Sequence, residues 1–561
     1  MKIVIVGGVA GGASAAARAR RLAEDAEIVL VERGPDVSFA NCGLPYYVGG
    51  VIASRAKLLV TTPQRLRERF AIDVRTRANV EAIDRVAARV RIRDLDSGRT
   101  SDESYDRLIL APGAAALVPP IPGVDHAAVL TLRNLADVDR IKAAVDDAAA
   151  RGPTSPPRVV VVGAGFIGLE LAENLVHRGV ETTVVELQDQ VLPPLDREMT
   201  TPIVATLRAH GVSLRLGDSA AGFTPAPHGA GVTVRLASGG ELAADLVILG
   251  VGVRPENRLA VEAGLDVGPR GGIRVDDRMQ TSDPLIYAVG DAVEIRDVVG
   301  GGPTQVPLAG PANRQGRIAA TAILRPEALP PVRYRGTQGT AIVGVFDRVA
   351  ACTGAAEKTL RRMGRDFRKV YVHPAHHAGY YPGAEPMSLK ILFDPRDGRI
   401  LGAQGVGGAG VDKRIDVVAV AIQAGMTVFD LEELELCYAP QFGSAKDPVN
   451  MAGFVAGGLL RGEHPQADME TVLDGAPDGQ TVLLDVRTAD EFAAGHIPGA
   501  VNIPVDELRG RRGELPRGGR ILAYCQVGQR GYLATRILLQ SGFDVANLGG
   551  GYTTYRLFRP G

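Results

Sequence analysis

The chain has 561 residues, too many for one hydrophobic core, and its length suits three or four domains. Its 63 lysines and arginines nearly balance 64 aspartates and glutamates, which leaves no global field for nucleic acid or an anionic membrane surface. The four cysteines (Cys42, Cys352, Cys437 and Cys525) are too widely spaced for a disulfide framework or a zinc site, so no metal centre is expected.

Met1-Lys2 leads directly into an apolar strand over residues 3–6, without room for a signal peptide. No apolar run approaches the ~20 residues of a spanning helix. With free thiols, this predicts a soluble, cytoplasmic protein that does not engage a membrane. The strand opens into Gly7-Gly8-Val9-Ala10-Gly11-Gly12 and an alanine- and arginine-rich helix, and a second strand over residues 28–31 ends at Glu32. Cys42 follows in Ser38-Phe39-Ala40-Asn41-Cys42-Gly43-Leu44-Pro45-Tyr46, and the nearest other thiol in sequence is Cys352. A reductase that works through a cysteine pair needs the partner within a turn or so, hence a thiol here must react with sulfur or peroxide brought from outside.

Beyond a proline-rich connection at 151–157, the strand-glycine-helix pattern returns. Residues 159–162 lead into Gly163-Ala164-Gly165-Phe166-Ile167-Gly168, then a helix, then a strand over 182–185 ending at Glu186. From about Tyr334 the pattern becomes α+β, with strands at 340–345 and 388–393 and helices at 412–424 and 428–436. A glycine-, proline- and charge-rich connector at 457–468 precedes a compact α/β segment of roughly a hundred residues.

Glycines are needed at such turns because the chain bends tightly, approaches a pyrophosphate and packs helix on strand, while the acid ending the next strand takes ribose hydroxyls. Gly163, Gly165, Gly168 and Glu186 satisfy this fully. Leu187 and Gln188 offer no arginine for a 2′-phosphate, so NADH is expected over NADPH. The first copy carries Val9 at the middle position between Gly7 and Gly12, with Glu32 at the correct distance. The later Ile286-Tyr287-Ala288-Val289-Gly290-Asp291 resembles the second flavin motif of flavoproteins with two dinucleotide domains, which assigns FAD to the first site and Asp291 to its ribityl chain. Residues 108–113 and 247–255 resemble the crossovers between those domains.

The Cys42 segment resembles the coenzyme A-disulfide reductase group of the pyridine nucleotide-disulfide oxidoreductases, over most of residues 1–455. The likeness includes Ala309-Gly310-Pro311-Ala312-Asn313-Arg314, where Ala309 opens the helix facing the flavin pyrimidine, and Gly344-Val345-Phe346-Asp347 and Tyr438-Ala439-Pro440. The resemblance implies a homodimer and a mixed disulfide between coenzyme A and Cys42. It also implies two tyrosines of the partner subunit's dimerisation domain that orient the sulfur substrate and protonate the leaving thiolate; Tyr380 and Tyr438 match, with Tyr381 the one-residue alternative. An electropositive, partly open site is expected to lower the Cys42 pKa. Ser14, Arg18 and Arg21 at helical spacing could hold coenzyme A phosphates, with Ser38 and Asn41 flanking the thiol, although Arg18, Arg20 and Arg21 could equally form a solvated face. A lysine contact expected from the resemblance falls at Phe70 here, although Arg67 and Arg69 lie next to it, and this weakens the expectation of coenzyme A in particular more than that of a low-molecular-weight thiol. Cys352 and Cys437 read as core residues.

The last segment resembles rhodaneses: Asp485-Val486-Arg487, Glu491-Phe492, Gly495-His496-Ile497-Pro498-Gly499-Ala500 and Tyr524-Cys525-Gln526-Val527-Gly528-Gln529-Arg530 follow at their spacing. A strand ending at Cys525 and a helix starting near Arg530 would converge amides on the sulfur, in a loop of the size used for sulfane sulfur. His496 and Asp485 read as supports of the fold.

The expected architecture is α/β throughout: an FAD domain at 1–120 and 250–330, an NAD domain at 121–249, an α+β dimerisation domain at 331–455, a linker at 456–468 and a rhodanese-like domain at 469–561. The resemblance implies an NADH-dependent flavoprotein that reduces S–S bonds of coenzyme A disulfide, coenzyme A persulfide or polysulfide. An NADH oxidase or peroxidase cycling through a sulfenic acid, or a sulfur-binding sensor, are the alternatives.

Overall fold

Residues 1–149, 156–227, 231–476 and 480–559 are described in the computed structural model. Most of the expected connection at 151–157 lies outside them. The chain divides into one unit of Met1–Asp189 with His210–Thr337 and a second of Gln190–Ala209 with Gln338–Gly561.

The first unit contains two five-stranded parallel sheets of matching design. One places Ile286–Ala288, Arg107–Leu110, Lys2–Val6, Glu27–Val31 and Asp73–Arg75 side by side. The other orders Ser213–Leu216, Glu181–Glu186, Arg158–Val162, Leu246–Leu249 and Val129–Thr131. Their central strands are continuous Val/Ile/Leu runs because helices or loops cover both faces, so neither face must be polar. Three-stranded antiparallel sheets accompany them, Ala78–Asp84 with Arg89–Asp94 and Thr100–Ser104, and Ala220–Pro225 with Val232–Leu236 and Glu241–Ala244.

The helix Ala10–Leu22 crosses Ala309–Leu324 closely because neither presents bulk at the contact. A Cβ on Gly316 would stand 2.2 Å from the Gly11 carbonyl oxygen.

The second unit holds an antiparallel sheet ordered Ala341–Val345, Arg348–Gly354, Ile400–Gly407, Met387–Phe393 and Arg368–Val372. The helix Arg197–Ala209, contributed from the middle of the segment expected to belong wholly to the NAD domain, packs in this unit. It brings Asp196 and Glu198 to Lys390, whose fully buried Nζ lies 2.9, 2.7 and 2.8 Å from Asp196, Glu198 and Glu357. Tyr371 Oη donates to Glu198 at 2.9 Å and Lys369 pairs with Glu357 at 3.0 Å. Burying these charges costs several kcal/mol per ion unless each is paired, and here the ammonium fills the acidic trio.

A parallel sheet of Gln466–Ala467, Val545–Leu548, Ile521–Tyr524, Val482–Asp485 and Val501–Asn502 completes this unit. Two expectations need correction. The connector is largely structured: the helix Pro448–Leu460 runs into it, and Gln466–Ala467 pairs with Asn547 and Leu548. Its Gly457 sits in close packing, since a Cβ there would lie 2.2 Å from a Glu432 carboxylate oxygen, whereas Gly462 has open space around it. The expected helix at 428–436 ends at Glu432, after a start fixed by the Thr427–Asp430 capping box.

Candidate functional site

The two glycine turns build the same cradle twice. In the first, the Glu32 carboxylate accepts from the Gly8 and Gly34 amides, both at 2.7 Å. In the second, Glu186 accepts from the Ala164 and Gln188 amides at 2.7 and 2.9 Å. The acids are thus pre-oriented at the strand ends beside the helix starts. Gly7 and Gly163 have φ of +95° and +108°, and Cβ atoms there would meet the Ala111 and Gly250 carbonyl oxygens at 2.1 and 2.4 Å. Added Cβ atoms on Gly12 and Gly168 would run into the Gly7 and Gly163 oxygens. Gly165 differs, because nothing stands within 4 Å of its added Cβ. An ordinary φ with open space leaves only an approaching ligand to require glycine there. A cleft lined by Val6, Gly7, Glu32, Arg33 and Pro112 lies beside the first acid. Both cradles therefore fit dinucleotides.

Asp291 sits in the 3-10 turn Gly290–Ala292 after the strand Ile286–Ala288, and its carboxylate pairs with Arg133 at 2.7 Å. Sequence reading did not single out Arg133, which lies far from any motif. Ala309 begins its helix as expected.

Cys42 lies in the 3-10 turn Asn41–Gly43, which hands the chain to the helix Leu44–Val48 through Pro45 in its first turn. It is exposed, yet desolvation by its surroundings, followed by the charge of Glu170, pushes its thiol above the ordinary pKa. The expected electropositive surroundings are therefore corrected: an acid on the helix Phe166–His177 faces the thiol instead. Burial raises Glu170 itself to about 7, and Tyr46 Oη donates to it at 3.2 Å. Glu170, like Tyr46, was missed. Its place two residues beyond the last glycine of the second turn was the available signal. Asn41 leaves its side-chain oxygen buried without a protein partner. Ser38 adopts φ +48° and ties the segment to the first cradle through its amide and the Gly8 oxygen at 2.8 Å.

On the helix crossing, Ser14 Oγ bonds Asn313 Oδ1 and Arg18 Nε donates to Thr321 Oγ1 at 3.2 Å. Burial, then the charges of Arg317 and Arg21, hold Arg18 below the ordinary guanidinium pKa. A cationic face thus assembles from both helices, and Arg317 is the member that sequence reading passed over. Arg20 belongs elsewhere: it is buried and donates to the Phe70 and Ala71 carbonyls, both at 2.8 Å, so the three-arginine solvated face does not form.

In the second unit the hydroxyls of Tyr380 and Tyr438 share a hydrogen bond of 2.9 Å, although the residues are 76% and 50% exposed. Tyr381 stacks edge-on against His377 instead. Cys352 is buried in the strand Arg348–Gly354, whereas Cys437 is exposed, contrary to the core reading. Residues 433–447 form no helix or strand to bury it.

Cys525 follows the strand Ile521–Tyr524, and its Sγ accepts from the Gly528 amide at 3.2 Å. Arg530, on the helix Gln529–Leu539, forms a two-bond pair with Glu491. Asp485 is buried against Arg487 at 2.6 Å, and His496 stacks on Phe492 with ring centroids 3.9 Å apart. No helix among the described residues is long and apolar enough to cross a membrane.

Two dinucleotide cradles in one unit and a lone thiol beside them define an oxidoreductase, and comparison with known proteins gives its family. The pyridine nucleotide-disulphide oxidoreductase model matches residues 1–323, the dimerisation domain of that family 340–447, and the rhodanese-like domain 468–557. The chain belongs to the pyridine nucleotide-disulphide oxidoreductases and carries a C-terminal rhodanese domain. It is 35% identical over 455 residues to a coenzyme A disulfide reductase of Staphylococcus aureus, covering 81% of this chain and 99% of the relative. Among solved structures, the reduced CoADR-RHD of Bacillus anthracis is 46% identical with a TM-score of 0.95, covering 100% of this chain and 98% of that one. A NAD-dependent persulfide reductase from A. fulgidus is 37% identical with a TM-score of 0.90, covering 99% and 100%.

Proposed function

We propose that the chain is an FAD-containing, NADH-dependent reductase of sulfur–sulfur bonds in coenzyme A disulfide, coenzyme A persulfide or polysulfide, acting as a homodimer. The observation that carries this reading is the isolation of Cys42: it is the only cysteine of the unit that bears both dinucleotide cradles, and it is exposed. FAD, when bound, relays two electrons from NADH to sulfur. Gly7, Gly12, Glu32, Asp291 and Ala309 would hold FAD, and Gly163, Gly165, Gly168 and Glu186 the nicotinamide dinucleotide.

Cys42 as thiolate attacks the substrate S–S bond, forming a mixed disulfide or persulfide and expelling a thiolate or hydrosulfide. Tyr438 or Tyr380 of the partner subunit supplies the proton, and their shared hydrogen bond keeps one hydroxyl available as donor. Two electrons then cleave the Cys42–sulfur bond, restoring the thiolate and releasing the second product. Ser14, Arg18 and Arg21 would grip substrate phosphates, while Ser38 and Asn41 flank the reacting sulfur. Cys525 carries sulfane sulfur to or from the same substrates, with Arg530 at its helix start.

Anaerobic kinetics with a panel of disulfides, persulfides and polysulfide test this reading. Cys42→Ser is expected to retain FAD and to lose NADH-dependent hydrosulfide release. NADH consumption that follows oxygen or peroxide rather than sulfur substrates would instead assign an oxidase or peroxidase.

A further inference from the structure

The loop that carries Cys525 is anchored on the helix Gly551–Phe558. From the first turn of that helix, the Tyr552 amide donates to the Cys525 carbonyl at 2.7 Å and the Thr553 amide to the Gln526 carbonyl at 2.9 Å. Gln526 Nε2 returns a bond to Thr553 Oγ1 at 3.1 Å, and Asn547 Nδ2 donates to the Gly528 carbonyl at 3.3 Å. In a trans peptide the N–H points away from the carbonyl, so fixing the Cys525 and Gln526 carbonyls on the helix turns the next two amides to the other side of the loop. The Gly528 amide donates to Sγ at 3.2 Å, and Arg530, besides its pair with Glu491, interacts with the same sulfur.

The start of this helix is held in turn by the antiparallel sheet of the dimerisation domain. Thr554 is fully buried, and its Oγ1 shares a 2.8 Å hydrogen bond with Nε2 of His373, the residue that follows the strand Arg368–Val372. The other ring nitrogen bonds Ser388 Oγ, on the adjacent strand Met387–Phe393, at 2.8 Å. Burial pushes the imidazole down to about 4, so at neutral pH it has one donor and one acceptor, and both are used. The junction leaves no free space. Gly550 has φ +72°, and a Cβ there would stand 2.0 Å from Thr554 Oγ1 and 2.8 Å from Tyr371 Cβ. Gly551 has φ +64°, and its Cβ would stand 2.3 Å from the Cys525 carbonyl oxygen. Gln466 Nε2 adds a second tie to the same strand, donating to the Lys369 carbonyl at 3.0 Å.

We infer that His373 is a positioning residue for Cys525: through Thr554 it sets the helix start that fixes the Cys525 and Gln526 carbonyls, and with them the amides that stabilise negative charge on the sulfur. The dimerisation sheet thereby completes a reactive loop that the rhodanese domain does not complete alone. This rests on the reading of Cys525 as a sulfur carrier. A bond that only joined the two sheets would leave the reactivity of Cys525 unchanged.

The test uses the full-length holoenzyme and the pH profile of sulfur uptake, read by rapid quenching and mass spectrometry of the Cys525 peptide. Thiosulfate is the probe because its charge is constant across the neutral range, and inorganic polysulfide is the second donor. The Cys525 thiolate attacks the outer sulfur of thiosulfate, an S–S bond forms as the bond to sulfite breaks, and sulfite leaves with the bonding pair. Thr554→Val removes the hydroxyl at nearly constant shape, and His373→Leu removes the ring nitrogens. In each, the pH midpoint of uptake should move up by about one unit, the scale of one hydrogen bond to a charged group. NADH-dependent disulfide reduction at Cys42 should stay at the wild-type rate. His373→Gln, whose amide keeps a donor and an acceptor, should restore the midpoint, and the double variant His373→Leu with Thr554→Val should move no further than Thr554→Val alone. A midpoint unmoved in Thr554→Val overturns the positioning role, even where the melting temperature falls. No uptake from either donor in wild type, with NADH-dependent reduction intact, overturns instead the carrier role of Cys525 on which it rests.

Discussion

Tyr46 donates its hydroxyl to Glu170 across 3.2 Å, joining the helix that follows Cys42 to the helix that follows the second glycine turn. The acid is held near neutrality, at about 7, and after desolvation its charge raises the Cys42 thiol, the proposed nucleophile. Because burial lifts Glu170 above the ordinary 4.5, it becomes ionised only as pH rises through about 7, and that ionisation opposes thiolate formation. Glu170→Gln removes this charge. The pH profile of Cys42 alkylation is expected to shift to lower pH, and an unchanged profile would show that the acid does not act on the thiol.

Gly165 and Gly168 should respond differently to alanine. Gly168→Ala drives a Cβ to 2.0 Å from the Gly163 oxygen and is expected to lower the melting temperature. Gly165→Ala meets nothing within 4 Å, so folding and flavin content should stay as they are. Its KM for NADH should nevertheless rise by about tenfold, equivalent to about 1.4 kcal/mol of lost binding. A normal KM in Gly165→Ala would remove the nucleotide from that turn.

Lys390→Met leaves three buried carboxylates without their ammonium and should cost about 3–5 kcal/mol, read from denaturant unfolding. Acid sensitivity should change with it. Desolvation opposes ionisation of Glu357, but Lys390 and Lys369 outweigh it and hold the acid down to about 2 from its ordinary 4.5. Its contribution is therefore complete above the unfolded value and lost as pH falls through about 2. Without Lys390 the folded pKa rises, and acid unfolding should begin at higher pH than in wild type.

The tyrosine pair predicts coupling. Tyr380→Phe and Tyr438→Phe each break the one bond between the hydroxyls. The double variant should then lose less turnover than the product of the single losses, as measured by a kinetic double-mutant cycle with a disulfide substrate. Strict multiplicativity would mean that the hydroxyls act independently.

Cys525→Ser should end persulfide uptake by the second unit while leaving NADH-dependent reduction of small disulfides near the wild-type rate. Parallel loss of both activities would mean that the two sulfurs do not have separable roles.

The glycine turns, their acids and the loop after Cys525 were legible in the sequence because each is a local requirement. A strand, a tight turn and a helix start are contiguous in the chain, and the glycines at 7 and 163 record backbone angles that the turn itself imposes. The connector at 457–468 misled for the same reason: its glycines look like local punctuation, but Gly457 answers to a neighbouring segment at Glu432 that composition does not reveal. Cys437 was misplaced because a thiol reads as a core residue wherever no element is known to expose it.

The order of strands, turns and helices, the two nucleotide cradles and the isolation of Cys42 were determined by sequence alone, through short-range backbone geometry and apolar patterning. Only the tertiary structure decided that the charge of Glu170 acts on Cys42, that Arg317 joins Arg18, that Lys390 sits among Asp196, Glu198 and Glu357, and that Glu491 pairs with Arg530. Each of these is an electrostatic relation between residues distant in the chain, whose sign depends on which helices the packing brings together.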